Sequence, residues 1–235
     1  MSPSPNGLRA YLFDLDGTLR FNQPSGYQTF IQYGRDLGLD FTPEAVRSAE
    51  RWQHQFWADR STVDRLFAEM GEAGGWLEIS RRQLVLLGAT GPIDDYAEAI
   101  QRRFLSEYQS VSVLGSDVID TLAALRDRGY IVGLVSNRDE ALDSIAEQHG
   151  MADLFDFTLS AGEAQSWKPE PAIFHRALEM AGVPAHSTAH VGDNYYADVV
   201  GAQNAGLVPI LFDPTGLFPD AACRIIASVG ELLEP

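Results

Sequence analysis

The 235-residue sequence holds a single cysteine, Cys223, so no internal disulfide can form. With only five scattered histidines besides, a Cys/His structural zinc site is not expected. Basic residues are scarce: 17 Lys and Arg stand against 33 Asp and Glu, a formal charge of −16. That deficit argues against a nucleic-acid or anionic-membrane footprint. It also means that an anionic substrate must meet positive charge supplied locally by its site. No apolar run reaches membrane-spanning length. The N-terminal stretch Met1–Gly7, rich in Pro and Ser, lacks the apolar core of a signal peptide and is expected to fray. A soluble cytoplasmic protein, monomer or homodimer, is the expectation.

What the chain does have is a rhythm. Short apolar runs at Leu8–Phe13, Ile131–Val135, Thr188–Val191 and Leu207–Phe212, with a weaker one at Phe157–Leu159, read as strands buried on both faces. Between them lie helical patterns. One is capped at Ser116, carries Val118, Leu122 and Leu125 on one face, and stops at Gly129. Others centre on Leu142–Ala146, on Ile173–Ala181, and on Tyr196–Ala205. Strands alternating with helices predict a parallel sheet with right-handed crossovers.

Residues 21–108 break the rhythm and read as helix after helix. Thr42-Pro43 is a cap followed by Pro at the first helical position. Ser61 with Asp64 resembles a capping box, and Ile93, Tyr96, Ala97, Ile100 and Phe104 form a helical stripe. Trp52, Phe56 and Trp57 read as bundle core in preference to a substrate box. The division expected is therefore an α/β core of residues 1–20 and 109–235, with a separate helical bundle at 21–108.

The polar residues cluster where apolar strands stop: Asp14-Leu15-Asp16-Gly17-Thr18, Ser136-Asn137, and Gly192-Asp193-Asn194. In an open parallel sheet the carboxyl ends of strands share one edge, where ligands bind. Asp14 and Asp16, two apart, suit one another as nucleophile and general acid/base on a phosphate ester. Gly17 permits a sharp turn that offers backbone N–H groups to an anion. Carboxylates this close need a cation, and Mg²⁺ suits an all-oxygen set in which Asp193 and Asp198 also take part. Lys168, ahead of Pro169, supplies the missing positive charge for Asp14 and a phosphate oxygen. Ser136 and Asn137 are candidate donors to the remaining oxygens. His190 reads as a core histidine, and Trp167 as a candidate pocket wall.

These stretches resemble the four motifs of the haloacid dehalogenase-like hydrolase superfamily, in that family's order: Asp14-Leu-Asp16-Gly-Thr18-Leu, Ser136-Asn137, Lys168-Pro-Glu-Pro-Ala-Ile-Phe174, and Gly192-Asp193-Asn194-Tyr-Tyr-Ala-Asp198. The resemblance covers nearly the whole chain. It implies a doubly wound, Rossmann-like parallel sheet core with an inserted helical cap. It implies Asp14 as nucleophile and Asp16 as acid/base. Mg²⁺ would be held by Asp14, Asp193 and the Asp16 backbone carbonyl, with Asp198 supporting the metal or Lys168. Leu15, Gly17, Thr18, Ser136, Asn137 and Lys168 would surround the phosphoryl group. Dehalogenases of the superfamily lack the second aspartate of the first motif, so Asp16 favours a phosphatase acting on a small phosphorylated metabolite. A phosphomutase, or a silent phosphate- or metal-binding module, is the alternative. One departure stands out: Arg20-Phe21-Asn22 follows Leu19, where the family often has a small apolar and then an acidic or amide residue.

Overall fold

The computed structural model describes residues 7–234. The stretch expected to fray falls in residues 1–6, outside them. In chain order the elements are β1 (Ala10–Phe13), β2 (Arg20–Gln23), α1 (Gly26–Asp36), α2 (Pro43–Ala58), α3 (Arg60–Leu86), α4 (Ile93–Glu107), β3 (Val111–Leu114), α5 (Val118–Asp127) and β4 (Ile131–Ser136). They continue with α6 (Asp143–Gln148), β5 (Phe157–Ser160), α7 (Ala161–Ala164), α8 (Pro171–Ala181), β6 (Thr188–Gly192), α9 (Gly201–Asn204), β7 (Val208–Phe212) and β8 (Arg224–Ile226). Among the described residues two compact units result: residues 7–21 with 114–234, and residues 22–113.

The first unit is built on a six-stranded sheet in the order β5-β4-β1-β6-β7-β8, all pairs parallel. Side chains alternate across a strand. Tyr11 and Phe13 therefore join one core with Val132, Leu134, Val191 and Ile210, under Val118, Leu122 and Leu125 of α5. Leu12 joins the opposite core with Val135, Ile173, Phe174 and Ala177 of α8, and Ala202 of α9. Helices on both faces explain why β1 is buried at every position. Phe13 pairs with Leu134 on one side and Val191 on the other. That register brings the residues after Phe13, Val135 and Val191 to one edge, and so places the site.

The second unit is a bundle of α1 to α4. Phe30, Ile31, Ala49, Leu84, Leu87, Ala97 and Ile100 form its main core, and Phe56, Leu66 and Ile79 a second one. α3 breaks at Gly71, whose φ of 68° is not helical.

The structure corrects local expectations in several places. Asp59, not Ser61, caps α3: its carboxylate accepts the Thr62 N–H. The α5 cap position is Asp117, not Ser116, and Asp117 makes no side-chain capping bond. It instead accepts from the Gly230 N–H at 2.8 Å. The helix expected at 196–205 opens as a π-helix over Tyr195–Val200 before α9. β8 goes beyond the expected strands, and so do β2 and β3, which pair as a two-stranded sheet. Among the described residues, no helix is long and apolar enough to cross a membrane.

Candidate active site

β1 delivers Asp14 to the sheet's carboxyl edge, where its N–H donates to the Val191 carbonyl at 2.9 Å. The chain then turns at once: the Leu19 and Arg20 N–H groups both reach back to the Leu15 carbonyl, while Leu15 itself is buried. Gly17 sits in this turn at φ 92°, and a Cβ there would meet Asp193 Oδ2 at 2.5 Å. Only glycine lets the Asp193 carboxylate approach so closely. Gly192 serves in the same way, since a Cβ there would run into the Asp198 carboxyl group.

Lys168 is the centre of charge. Its Nζ donates to Asp14 Oδ1 at 2.5 Å and to Asp198 Oδ1 at 2.7 Å, and all three groups are buried. Asp198 stands in the π-helical turn, a distortion common at functional sites. There it also accepts the Asn194 N–H at 3.0 Å and lies 2.9 Å from His190 Nε2. Thr18 Oγ1 lies 3.4 Å from Asp14 Oδ2 and 3.3 Å from Asp193 Oδ1. Asp14, Asp193 and Asp198 can each bring one oxygen within 4.8 Å of the others.

The electrostatics follow from three carboxylates facing one ammonium. Burial pushes Asp14 up to about 7 even though Lys168 pulls it down. Burial, with Asp14 and Asp198 alongside, pushes Asp193 well above the usual carboxylate range. Burial would also raise Asp198, but Lys168 and His190 hold it far below that range. Burial disfavours the Lys168 ammonium too, yet Asp14 and Asp198 outweigh this and raise it. Burial and Lys168 lower His190, which keeps its ring neutral. The site is thus short of positive charge by about one divalent ion. Its all-carboxylate donor set fits Mg²⁺, a hard cation that takes oxygen ligands.

Other expected residues have different duties. Asp16 does not join the three carboxylates. Its half-exposed carboxylate is gripped by Arg138, with Nε at 2.7 Å from Oδ2 and Nη2 at 3.4 Å from Oδ1, and by Arg20 Nη2 at 2.9 Å. The Asn137 side chain is spent on Lys168. Its Nδ2 donates to the Lys168 carbonyl at 2.8 Å, and its Oδ1 accepts the Lys168 N–H at 2.7 Å. It therefore fixes the lysine's backbone, and one N–H of its amide is left over for another acceptor. In the turn that Gly17 permits, the Gly17 N–H itself donates to the Arg20 carbonyl at 2.8 Å. Ser136 ends β4 and is buried. Trp167 donates its ring N–H to Asp139 at 3.2 Å.

The structure adds two residues to those the sequence points to. Arg138 directly follows Ser136-Asn137, and a cation next to that polar pair at a strand end is the one signal that marks it. His190 reads as core and is core: it packs edge-on against Phe174. Its contact with Asp198 crosses from one element to the next, and no spacing signals it.

A parallel sheet that presents a buried lysine among carboxylates at its carboxyl edge defines the class, an α/β enzyme. The family model of haloacid dehalogenase-like hydrolases matches residues 8–206, and the chain belongs to that family. It is 31% identical over 207 residues to the haloacid dehalogenase-like hydrolase domain-containing protein 3 of Bos taurus, covering 85% of this chain and 80% of that one. It is 30% identical over 215 residues to the ribulose-1,5-bisphosphate 5-phosphatase of Halopiger xanaduensis, covering 88% and 85%. Among solved structures, a HAD phosphatase from Thermococcus onnurineus superposes with a TM-score of 0.59 at 25% identity, covering 96% of each chain. Proteins named as dehalogenases also stand among the relatives.

Proposed function

We propose that the chain is a Mg²⁺-dependent phosphatase that hydrolyses a small phosphomonoester through an aspartyl phosphate on Asp14. The observation that carries this reading is the group of buried Asp14, Asp198 and Lys168 with the partly buried Asp193, whose excess of negative charge asks for a divalent ion. Asp14 and Asp193, with Asp198, would hold Mg²⁺, and the bound ion would neutralise charge on the phosphoryl oxygens.

Asp14 Oδ2, the oxygen not engaged by Lys168, attacks phosphorus. The ester P–O bond breaks, its electron pair goes to the alcohol oxygen, and Asp16 in its acid form protonates that oxygen. Asp16, now a carboxylate, takes a proton from water, which attacks the aspartyl phosphate and releases inorganic phosphate. Lys168 stays at Asp14 and a phosphoryl oxygen throughout, stabilising charge without moving. Asn137 keeps Lys168 in register, and Asp198 holds its ammonium from the other side. The ion pairs of Asp16 with Arg138 and Arg20 must open for Asp16 to give and take its proton.

The grip on Asp16 favours a second reading, a silent phosphate- or metal-binding module in which Asp16 is never released. One assay separates the two: p-nitrophenyl phosphate with and without Mg²⁺, repeated with Asp14→Asn. Mg²⁺-dependent release of p-nitrophenol that vanishes in the variant supports the phosphatase. Saturable Mg²⁺ binding without release from any ester in a broad panel would overturn it in favour of the module.

A further inference from the structure

The helical unit contains a cavity of about 870 Å³, within the size range of pockets built for small molecules. Each helix gives it one face at helical spacing: Tyr27 and Phe30 of α1, Gln53 and Trp57 of α2, Trp76, Ser80 and Gln83 of α3, and Gln101 and Phe104 of α4 with Tyr108 just past its end. Those are the faces that a four-helix bundle ordinarily fills with aliphatic side chains. Trp57, which reads as bundle core beside Trp52 and Phe56, instead lines this space with 38% of its surface exposed, and Trp76 is 41% exposed.

The walls are of one chemical kind. Six aromatic rings dominate them: Tyr27, Phe30, Trp57, Trp76, Phe104 and Tyr108. Several are held in place. The Tyr27 hydroxyl donates to the Val46 carbonyl at 2.5 Å, the Tyr108 hydroxyl to the Pro24 carbonyl at 3.0 Å, and Trp57 and Trp76 lie against one another at 5.7 Å. Apart from Glu72 and the tyrosine hydroxyls, the polar members are uncharged amides and the Ser80 hydroxyl. Gln101 Nε2 donates to Ser80 Oγ at 2.5 Å, and Ser80 in turn donates to the Trp76 carbonyl at 3.0 Å. Gln83 is buried, and its Oε1 has no hydrogen-bond partner. Amides on the inner faces of a bundle weaken it unless something uses them. The lining includes no Lys, Arg or His, and its single charged residue is Glu72.

We propose that this cavity is a binding site for a flat aromatic or heteroaromatic compound, uncharged or singly cationic, with hydrogen-bonding groups on its edge. Ring faces fixed in advance offer stacking at little entropic cost. They attract a cation above them, and Glu72 adds to that preference. An anion finds aromatic faces and a carboxylate, and no counter-charge. The site stands independently of the phosphatase reading, because neither its residues nor its chemistry involves a phosphoryl group.

The probes are tryptamine, indole and indole-3-acetate, which share one ring and differ in charge. They are titrated into the full chain at physiological salt, followed by calorimetry and by the indole N–H resonances of the four tryptophans. Tryptamine should bind tighter than indole, and indole-3-acetate at least tenfold more weakly than tryptamine. The Trp57 and Trp76 resonances should shift, and that of Trp167 should not. Trp57→Ala should weaken tryptamine about tenfold. Should that variant fail to fold, Glu72→Gln, at an exposed position, carries the test. It should erase most of the preference for tryptamine over indole and leave p-nitrophenyl phosphate turnover unchanged. Equal affinity for all three probes, shifts confined to other tryptophans, or no saturable binding up to about 5 mM, where even fragment-strength contacts register, would each overturn the proposal. Binding that persists when no phosphate ester is turned over leaves this site intact and removes only the catalytic reading.

Discussion

The two units of the chain both bury polar side chains, but of opposite kinds. The α/β unit buries formal charges, Lys168 between Asp14 and Asp198 with the partly buried Asp193 beside them, at the ends of strands. The helical unit buries neutral groups, Ser80 and Gln83, along the sides of helices. A buried charge is tolerable only with its partner, so removing one member leaves the others exposed to the full desolvation cost. A buried amide with an unmade bond is already uncompensated, so removing it relieves a cost. The same substitution should therefore have opposite signs in the two units.

The largest effect expected comes from Lys168→Met in the presence of a chelator. It leaves Asp14 and Asp198 buried without their ammonium, and should lower the unfolding free energy by roughly 3–5 kcal/mol. Urea denaturation monitored by circular dichroism reads this directly. A loss below about 1 kcal/mol would mean that the carboxylates simply protonate, and that charge is not what the α/β unit is organised around.

Next in size is the response to Mg²⁺. A ligand that binds only the folded state at a hundred times its Kd adds about 2.7 kcal/mol. Mg²⁺ should raise the unfolding midpoint of the native chain and should do nothing for Asp193→Asn. Equal stabilisation of both would place the ion away from the three carboxylates. Since the cavity of the helical unit offers Glu72 alone, no effect of Glu72→Gln on this response is expected.

The same contrast decides what the amino acids alone can tell. Strand ends concentrate chemistry into stretches of two to five residues, so the parallel sheet and the gathering of Asp14, Lys168, Asp193 and Asp198 are legible in the sequence. What side chains do with their second hydrogen bond is not. Asn137 turns to the Lys168 backbone, and Asp16 turns to Arg138, because those partners come from elements that sequence spacing cannot bring together. The helical unit is legible as helices and little more. Gln53, Gln83 and Gln101 look like solvent-facing residues of amphipathic helices, and only packing reveals that they line a cavity. The short strands β2, β3 and β8 are hidden for a simpler reason. They are short and mostly not buried, so no continuous apolar run marks them as it marks β1.

Glycines sharpen the comparison at smaller scale. Gly17 and Gly38 both have left-handed backbones, with φ of 92° and 84°. Nothing stands within 4 Å of where a Cβ on Gly38 would lie, whereas one on Gly17 would meet Asp193. Gly38→Ala should cost about 1 kcal/mol, the conformational strain alone. Gly17→Ala should cost more, up to about 3 kcal/mol, and should also weaken Mg²⁺ by displacing the Asp193 carboxylate. Equal losses with unchanged Mg²⁺ binding would show that the close approach of Asp193 to the turn carries no weight.

The smallest effect is the one of reversed sign. Gln83 is 5% exposed, and its Oε1 is shut away from water without a donor. Gln83→Met keeps the length and nearly the volume of the side chain, removes the unsatisfied carbonyl, and places a flexible thioether among aromatic neighbours. Replacing an unpaired buried polar group by an apolar one of similar shape is neutral to stabilising. The variant should therefore unfold at the same urea concentration as the native chain or a higher one, with a gain of up to about 1 kcal/mol. It should do so without any change in the Mg²⁺ response. A loss of about 1 kcal/mol or more would show that the Gln83 amide is already satisfied in the folded bundle. The helical unit would then hold its polar groups as the α/β unit does, in partnerships that stability depends on.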